Sequence, residues 1–309
     1  MDSTLPQTAS TVLINVSLAW VAGVLASRLW LMKHTVAWQK AAVRLLSPAM
    51  LAGLVACAVG ILLSLWSESS AMGDVPWLSA WPACKEMLTS THYGHAGVAA
   101  AVLLTVAMLA HWALRQSGNG MRYVGSIGVL LLLVFAARVT IGHAFEQGFL
   151  SVALLVEWLH LLCMSLWAGI VFVAGWLVVP RMLASELAPS LERAAFLKSM
   201  SNWAAAALVG ILATGAYNSY RVLASPRDLL DADYGHVLGF KLCFVLVSIA
   251  LGGFNKFFGL PAALSQTSSA EKANRGLRMV VTVLRIESVA LLLVIAAAAV
   301  LTNSAPPSA

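Results

Sequence analysis

The chain has 309 residues, 60% of them hydrophobic and only 10% charged. Soluble domains run nearer about a quarter charged, so too few charges are present to cover a water-facing surface and lipid must cover most of it. The net charge of +6 would suit a nucleic-acid partner. That role is excluded, because Lys and Arg sit in short segments between apolar runs, without a basic stripe or interleaved aromatics.

Apolar runs of about 20 residues cross a bilayer as helices. Roughly, they fall at 10–32, 45–66, 94–114, 122–143, 151–179, 200–222, 235–258 and 279–303. The expected fold is therefore an all-α integral membrane protein, a single polytopic bundle of about eight transmembrane helices. Basic residues concentrate in alternate connections: Arg28, Lys33, Lys40 and Arg44; Arg115 and Arg122; Arg181, Arg193 and Lys198; Lys256, Lys272, Arg275 and Arg278. The other connections hold only Lys85, Arg221 and Arg227. The positive-inside rule then puts both termini on the extracytoplasmic side.

In chain order, the first run follows a segment, Met1–Ala9, with no Lys or Arg and one acid, Asp2. A cleaved signal peptide has a basic start, so this run is expected to remain as a span. After the second run comes the longest outer connection, roughly Ser67–Tyr93. Its Trp77-Leu78-Ser79-Ala80-Trp81-Pro82 suits an interfacial aromatic belt. Of the four cysteines, Cys57, Cys84, Cys163 and Cys243, only Cys84 falls in a loop, so no intramolecular disulfide is expected. Met72 and Met87 in this connection could weakly receive a soft ion, but no MxM or MxxM cluster exists.

The third run opens with Thr91-His92-Tyr93-Gly94-His95. Histidines at i and i+3 share a helix face at metal-ligand spacing, although interfacial polar residues at a helix start read the same way. The fourth run ends at Gly142-His143-Ala144, where the imidazole is either a ligand or a counterpart to the helix dipole. The fifth holds Glu157, His160, Cys163, Met164 and Trp167. At 100° per residue these occupy about 120° of arc, and His160 lies about 14 Å into the helix.

An acid and an imidazole at that depth cost several kcal/mol unless paired, hydrated or metal-bound. Imidazole, thioether and thiol together suit copper, Cu(I) especially. A Glu–His pair holding two helices together is the plainer alternative. Arg138, Lys241, Arg285 and Glu287 are further charges inside apolar runs. Arg138 and Lys241 are placed to pair with Glu157 or with outer acids. No Walker A, GxGxxG, HExxH or GxSxG with partners is present, so neither an enzyme nor an ATP-driven pump is expected.

These stretches, taken in order, resemble the CopD family of copper-resistance inner-membrane proteins. The resemblance rests on Thr91-His92-Tyr93-Gly94, Gly142-His143-Ala144, Leu159-His160-Leu161-Leu162 and Leu166-Trp167-Ala168-Gly169. It continues through Ala213-Thr214-Gly215-Ala216-Tyr217-Asn218, Ser225-Pro226, Asp233-Tyr234-Gly235 with Leu238, Lys241 and Leu242, Asn255-Lys256, and Arg285-Ile286-Glu287. It covers about residues 89–305.

The resemblance implies a multi-pass protein of the bacterial inner membrane that moves copper between periplasm and cytoplasm, beside a periplasmic copper-binding protein. On this reading His92, His95, His143 and His236 form or flank an outer entry site. Glu157, His160 and Met164 form a site within the membrane. Trp167, Thr214, Asn218, Lys241 and Glu287 line or brace the path. Two rival readings remain open at this point. One is a redox protein holding haem b between helix histidines. The other is a non-catalytic subunit that docks a partner through its outer loops.

Overall fold

Inside lipid no water is present to satisfy backbone N–H and C=O groups, so an apolar run closes its hydrogen bonds within itself as a helix. The structure, a computed structural model, describes residues 4–33, 35–116, 118–142, 145, 147–185, 191–222, 233–265 and 270–303. Among these residues there are helices and no strands. The α-helices are α1 (Thr4–Trp30), α2 (Ala37–Met72), α3 (Trp81–Ser90), α4 (His92–Leu114), α5 (Gly120–Val139), α6 (Val152–Val173), α7 (Val179–Ala184), α8 (Leu191–Val222), α9 (Asp233–Phe254), α10 (Leu260–Leu264) and α11 (Ala270–Thr302). Eight helical segments among the described residues are long and apolar enough to cross a membrane.

Local chemistry sets where several helices begin. Thr91, Asn119 and Ser151 precede α4, α5 and α6, and each side chain accepts from the backbone N–H three residues on: Gly94, Arg122 and Leu154. Each cap satisfies one of the amides a helix start leaves without a partner.

Several spans run past the apolar runs. Helix α2 starts at Ala37 and ends at Met72, α8 starts at Leu191, and α11 starts at Ala270. The added turns carry Lys40, Arg44, Arg193, Lys198, Lys272, Arg275 and Arg278, which hydropathy rejects but helical hydrogen bonding tolerates once the chain leaves lipid. The Ser67–Tyr93 connection is also more ordered than a loop. It contains a 3-10 turn at Trp77–Ser79 and then α3, and within α3 Cys84 is buried.

Helices α1, α6 and α11 form the middle of the bundle. The most apolar window of α6 is 67% buried, against 17% for the segment containing α9, which lies on the periphery. Helix α1 packs on α2, α6 and α11; α6 also packs on α8; α9 packs on α11. Helices α1 and α6 cross at Ala19, Gly23 and Gly169. A Cβ on either glycine would run into the backbone of the opposite helix, so only glycine permits this approach.

The fifth and seventh spans are interrupted in the same way. Helix α6 passes into a π-turn, Ala174–Val178, before α7, and α9 passes into a π-turn, Asn255–Gly259, before α10. Pro180 and Pro261 sit in the first turn of the helices that follow. Proline has no N–H and crowds the carbonyl one turn back, and a widened turn absorbs both effects. Both π-turns lie against α11, Gly175 at Leu284 and Gly259 at Val280.

Candidate functional site

Helices α6 and α8 run antiparallel, and their facing residues form a ladder. Glu157 is opposite Asn218, His160 is opposite Thr214 and Gly215, and Cys163 is opposite Gly210. On α6 these positions repeat every three residues and on α8 every four, so each sequence keeps one stripe on one face. Glycine at 210 and 215 creates the room. A Cβ on Gly210 would lie 2.5 Å from Cys163 Sγ, and one on Gly215 would lie 3.3 Å from His160 Cε1.

The hydrogen bonds fix the state of the imidazole. Thr214 Oγ1 is 2.6 Å from the Gly210 carbonyl oxygen and 2.8 Å from His160 Nδ1. A hydroxyl has one proton, and the carbonyl can only accept, so Thr214 donates to Gly210 and accepts from Nδ1–H. His160 Nε2 is left with its lone pair, the form in which an imidazole binds a metal. One turn away, Asn218 Nδ2 donates to Glu157 Oε2 at 2.6 Å.

Lys241 on α9, Arg221 on α8 and Arg138 on α5 act on Glu157 electrostatically. Among the described residues none of the three lies within ion-pair distance of it. The pairing expected for Arg138 and Lys241 is thus a shared field around a hydrogen-bonded acid.

Met164 is half-buried one turn further along α6. Beyond it, Trp167 Nε1 donates to Glu287 Oε1 on α11 at 3.2 Å, and both side chains are buried. The arc on α6 anticipated from the sequence is therefore divided between two neighbours, α8 for Glu157, His160 and Cys163, and α11 for Trp167.

The histidines at the helix starts are exposed. His92 stacks on Phe145, centroids 4.3 Å apart and nearly parallel. His95 places Nε2 3.1 Å from the Thr89 carbonyl oxygen. The two imidazoles thus turn to different partners. His236 is exposed near the start of α9. His143 lies outside the described residues. Among the described residues no group of three or more His, Cys, Asp or Glu side chains comes together to hold a metal.

Two polar clusters were not singled out from sequence. Tyr93 and Ser64 hydroxyls are 2.6 Å apart beside a cavity of about 20 Å³, also lined by Arg138, whose Nε is buried without a partner among the described residues. That volume admits one water. At the opposite end of the bundle, buried His111 places Nδ1 2.7 Å from the Tyr123 hydroxyl and Nε2 3.5 Å from Ser47 Oγ, while the Arg28 guanidinium lies over the Tyr123 ring. Both nitrogens of His111 are thus occupied by protein. Each cluster joins residues from helices distant in the chain, which spacing within one helix cannot reveal.

Eight membrane-length helices define a polytopic membrane protein, here with an acid, an imidazole and a thiol of α6 facing α8. Residues 194–301 match the family model of CopD, described as copper resistance protein D. The match bears out the resemblance across α8, α9 and α11, and so covers Thr214, Asn218, His236, Lys241 and Glu287. Glu157, His160 and Met164 precede it. No curated protein and no solved structure matches the chain.

Proposed function

We propose that the protein carries copper across the bacterial inner membrane, from the periplasmic face to the cytoplasm, through the stripe between α6, α8 and α11. The carrying observation is the polarised His160. Its Nδ1 proton is committed to Thr214, and Nε2 is presented as a ligand one turn from the Glu157 carboxylate and one turn from the Met164 thioether. Nitrogen and sulfur donors of this kind favour Cu(I), for which two or three protein ligands suffice. A transported ion must also leave, so a sparse site serves better than a tight four-ligand cage.

In this reading the end of the bundle bearing His92 faces the periplasm. Exposed His92, His95 and His236, with His143, receive copper there from a periplasmic copper-binding protein. Asn218 and Lys241 brace Glu157 in position, Thr214 sets the tautomer of His160, and Trp167 leads to Glu287. The match of α8, α9 and α11 to a copper-resistance family supports the choice of metal.

Copper uptake into proteoliposomes tests the proposal. Wild-type protein is expected to admit copper, His160→Ala to abolish uptake, and His92→Ala/His95→Ala to slow it at low copper. Unchanged flux in both variants would end the site assignment. A Soret band in the purified protein would replace copper transport with haem binding.

A further inference from the structure

The second buried acid is built differently from the first. Glu287 is 2% exposed, in the middle of α11. Its one hydrogen-bond partner among the described residues is the Trp167 indole N–H. No cation among the described residues pairs with it. Arg285 is turned away, donating Nε to the Gly175 carbonyl at 3.3 Å and lying over the Trp176 ring. Lys241 exerts its field on Glu157 and His160, and Lys256 on the nearby π-turn is exposed. Among the described residues the Trp167 indole is the one polar group that reaches this carboxyl, and no Lys, Arg or His of α1, α6, α9 or the π-turns lies within ion-pair distance of it.

A glycine, with no side chain to crowd it, lies beside it. Gly252 of α9 faces the carboxyl, and a Cβ there would already lie 3.4 Å from Oε1 and 3.9 Å from Oε2. The position is also the level at which the neighbouring spans change pitch. Gly252 lies one turn before the π-turn of the seventh span, and Trp176 of the other π-turn donates to Ser288 beside Glu287. An acid without a counter-ion in hydrocarbon holds either a proton or a metal cation, because the bare carboxylate is the costly state.

We propose that Glu287 is the coupling site of the transporter, holding a proton while the path is empty and exchanging it for the copper ion that arrives past Trp167. The exchange balances simply. The carboxyl O–H bond breaks, a carboxylate–copper contact forms, and the proton leaves by the way the metal came. No electron moves. When copper departs toward the far side, a proton from that side restores the acid, so copper entry is tied to proton exit. This inference rests on the copper-transport reading above and supplies its coupling ion.

The test uses purified full-length protein in liposomes with a pH dye trapped inside and Ag+ as a redox-inert stand-in for Cu(I). Wild type is expected to raise the internal pH as Ag+ enters, with about one proton leaving per ion, since a metal displaces the proton of its ligand. Glu287→Gln keeps an acceptor for the Trp167 N–H. It is expected to bind Ag+ at Glu157 and His160 while exchange falls at least about tenfold, and Glu287→Asp to restore part of the exchange. Independently of transport, infrared spectra should contain a protonated-carboxyl band in wild type that Glu287→Gln removes. Should Glu287→Gln fail to fold, Gly252→Val, which fills the space beside Oε1, must give the same loss.

Ag+ entry in wild type without a pH change, or equal proton exit in Glu287→Gln, would overturn the coupling role and leave copper transport standing. Wild type that neither binds nor admits Ag+ would overturn the transport reading itself, and the coupling role with it.

Discussion

Helix α6 has two interfaces of opposite character. Toward α1 it presents Gly169, and the two backbones meet so closely at Ala19 and Gly23 that no side chain fits between them. Toward α8 it presents Glu157, His160 and Cys163, and α8 answers with Asn218, Thr214, Gly215 and Gly210. Both interfaces use glycine, yet for different ends. At the first, glycine lets backbone touch backbone, which in lipid is a main source of helix association. At the second, it makes room for polar side chains. A rigid seam on one side of a helix allows the other side to carry groups that cost stability.

The same substitution at different glycines separates the two faces. Gly169→Ala is expected to have the largest effect, above about 3 kcal/mol, because the new methyl meets backbone atoms that cannot move aside. Loss of folded protein in size-exclusion and thermal-melt measurements would show it. Gly210→Ala meets Cys163 Sγ, the end of a side chain that can rotate, and about 1–2 kcal/mol is expected. The double change with Cys163→Ala should recover most of that loss.

Thr214→Val keeps shape but removes the acceptor for His160 Nδ1–H. About 1 kcal/mol of stability is expected to go and, on the proposed copper reading, about 10- to 100-fold in metal affinity, as is usual when the group orienting a ligand is lost. Isothermal titration with Ag+ would measure the second figure, and an unchanged affinity would make the Thr214 contact a packing feature only. Gly215→Ala, whose methyl would press on the His160 ring edge at 3.3 Å, should cost least stability, under about 1 kcal/mol, since alanine is the better helix former. On the proposed copper reading it should still weaken metal binding by tilting the ring.

The eight spans were legible in the sequence because each apolar run is long and the basic residues gather in alternate connections. Their ends were less so: α2, α8 and α11 carry basic turns outside lipid, where hydropathy no longer tracks helix. Glu157 and His160 stood out because ionisable residues are rare in such runs, and their common face followed from helical spacing. What they touch did not follow, since Asn218 and Thr214 lie more than fifty residues on. The α1–α6 seam had a signal that went unread: Ala19 and Gly23 are four residues apart, as are Ser165 and Gly169, the small-residue spacing of close helix pairs. The π-turns had one as well, in Pro180 and Pro261. The Trp167–Glu287 contact joins positions 120 residues apart and required the fold.

Those two π-turns have a mechanical consequence. A widened turn accommodates one residue more than the regular helix, so shifting it along the chain re-phases the residues it passes by about 100°. Helix α11 has such a joint on either side, at Gly175 and at Gly259, whereas α1 and α6 are locked where their glycines meet. One end of the bundle can thus re-phase its walls around the Glu287 carboxyl while the middle stays clamped. If the copper-transport proposal holds, that division between a fixed axle and turning ends suits a carrier that opens alternately to two sides.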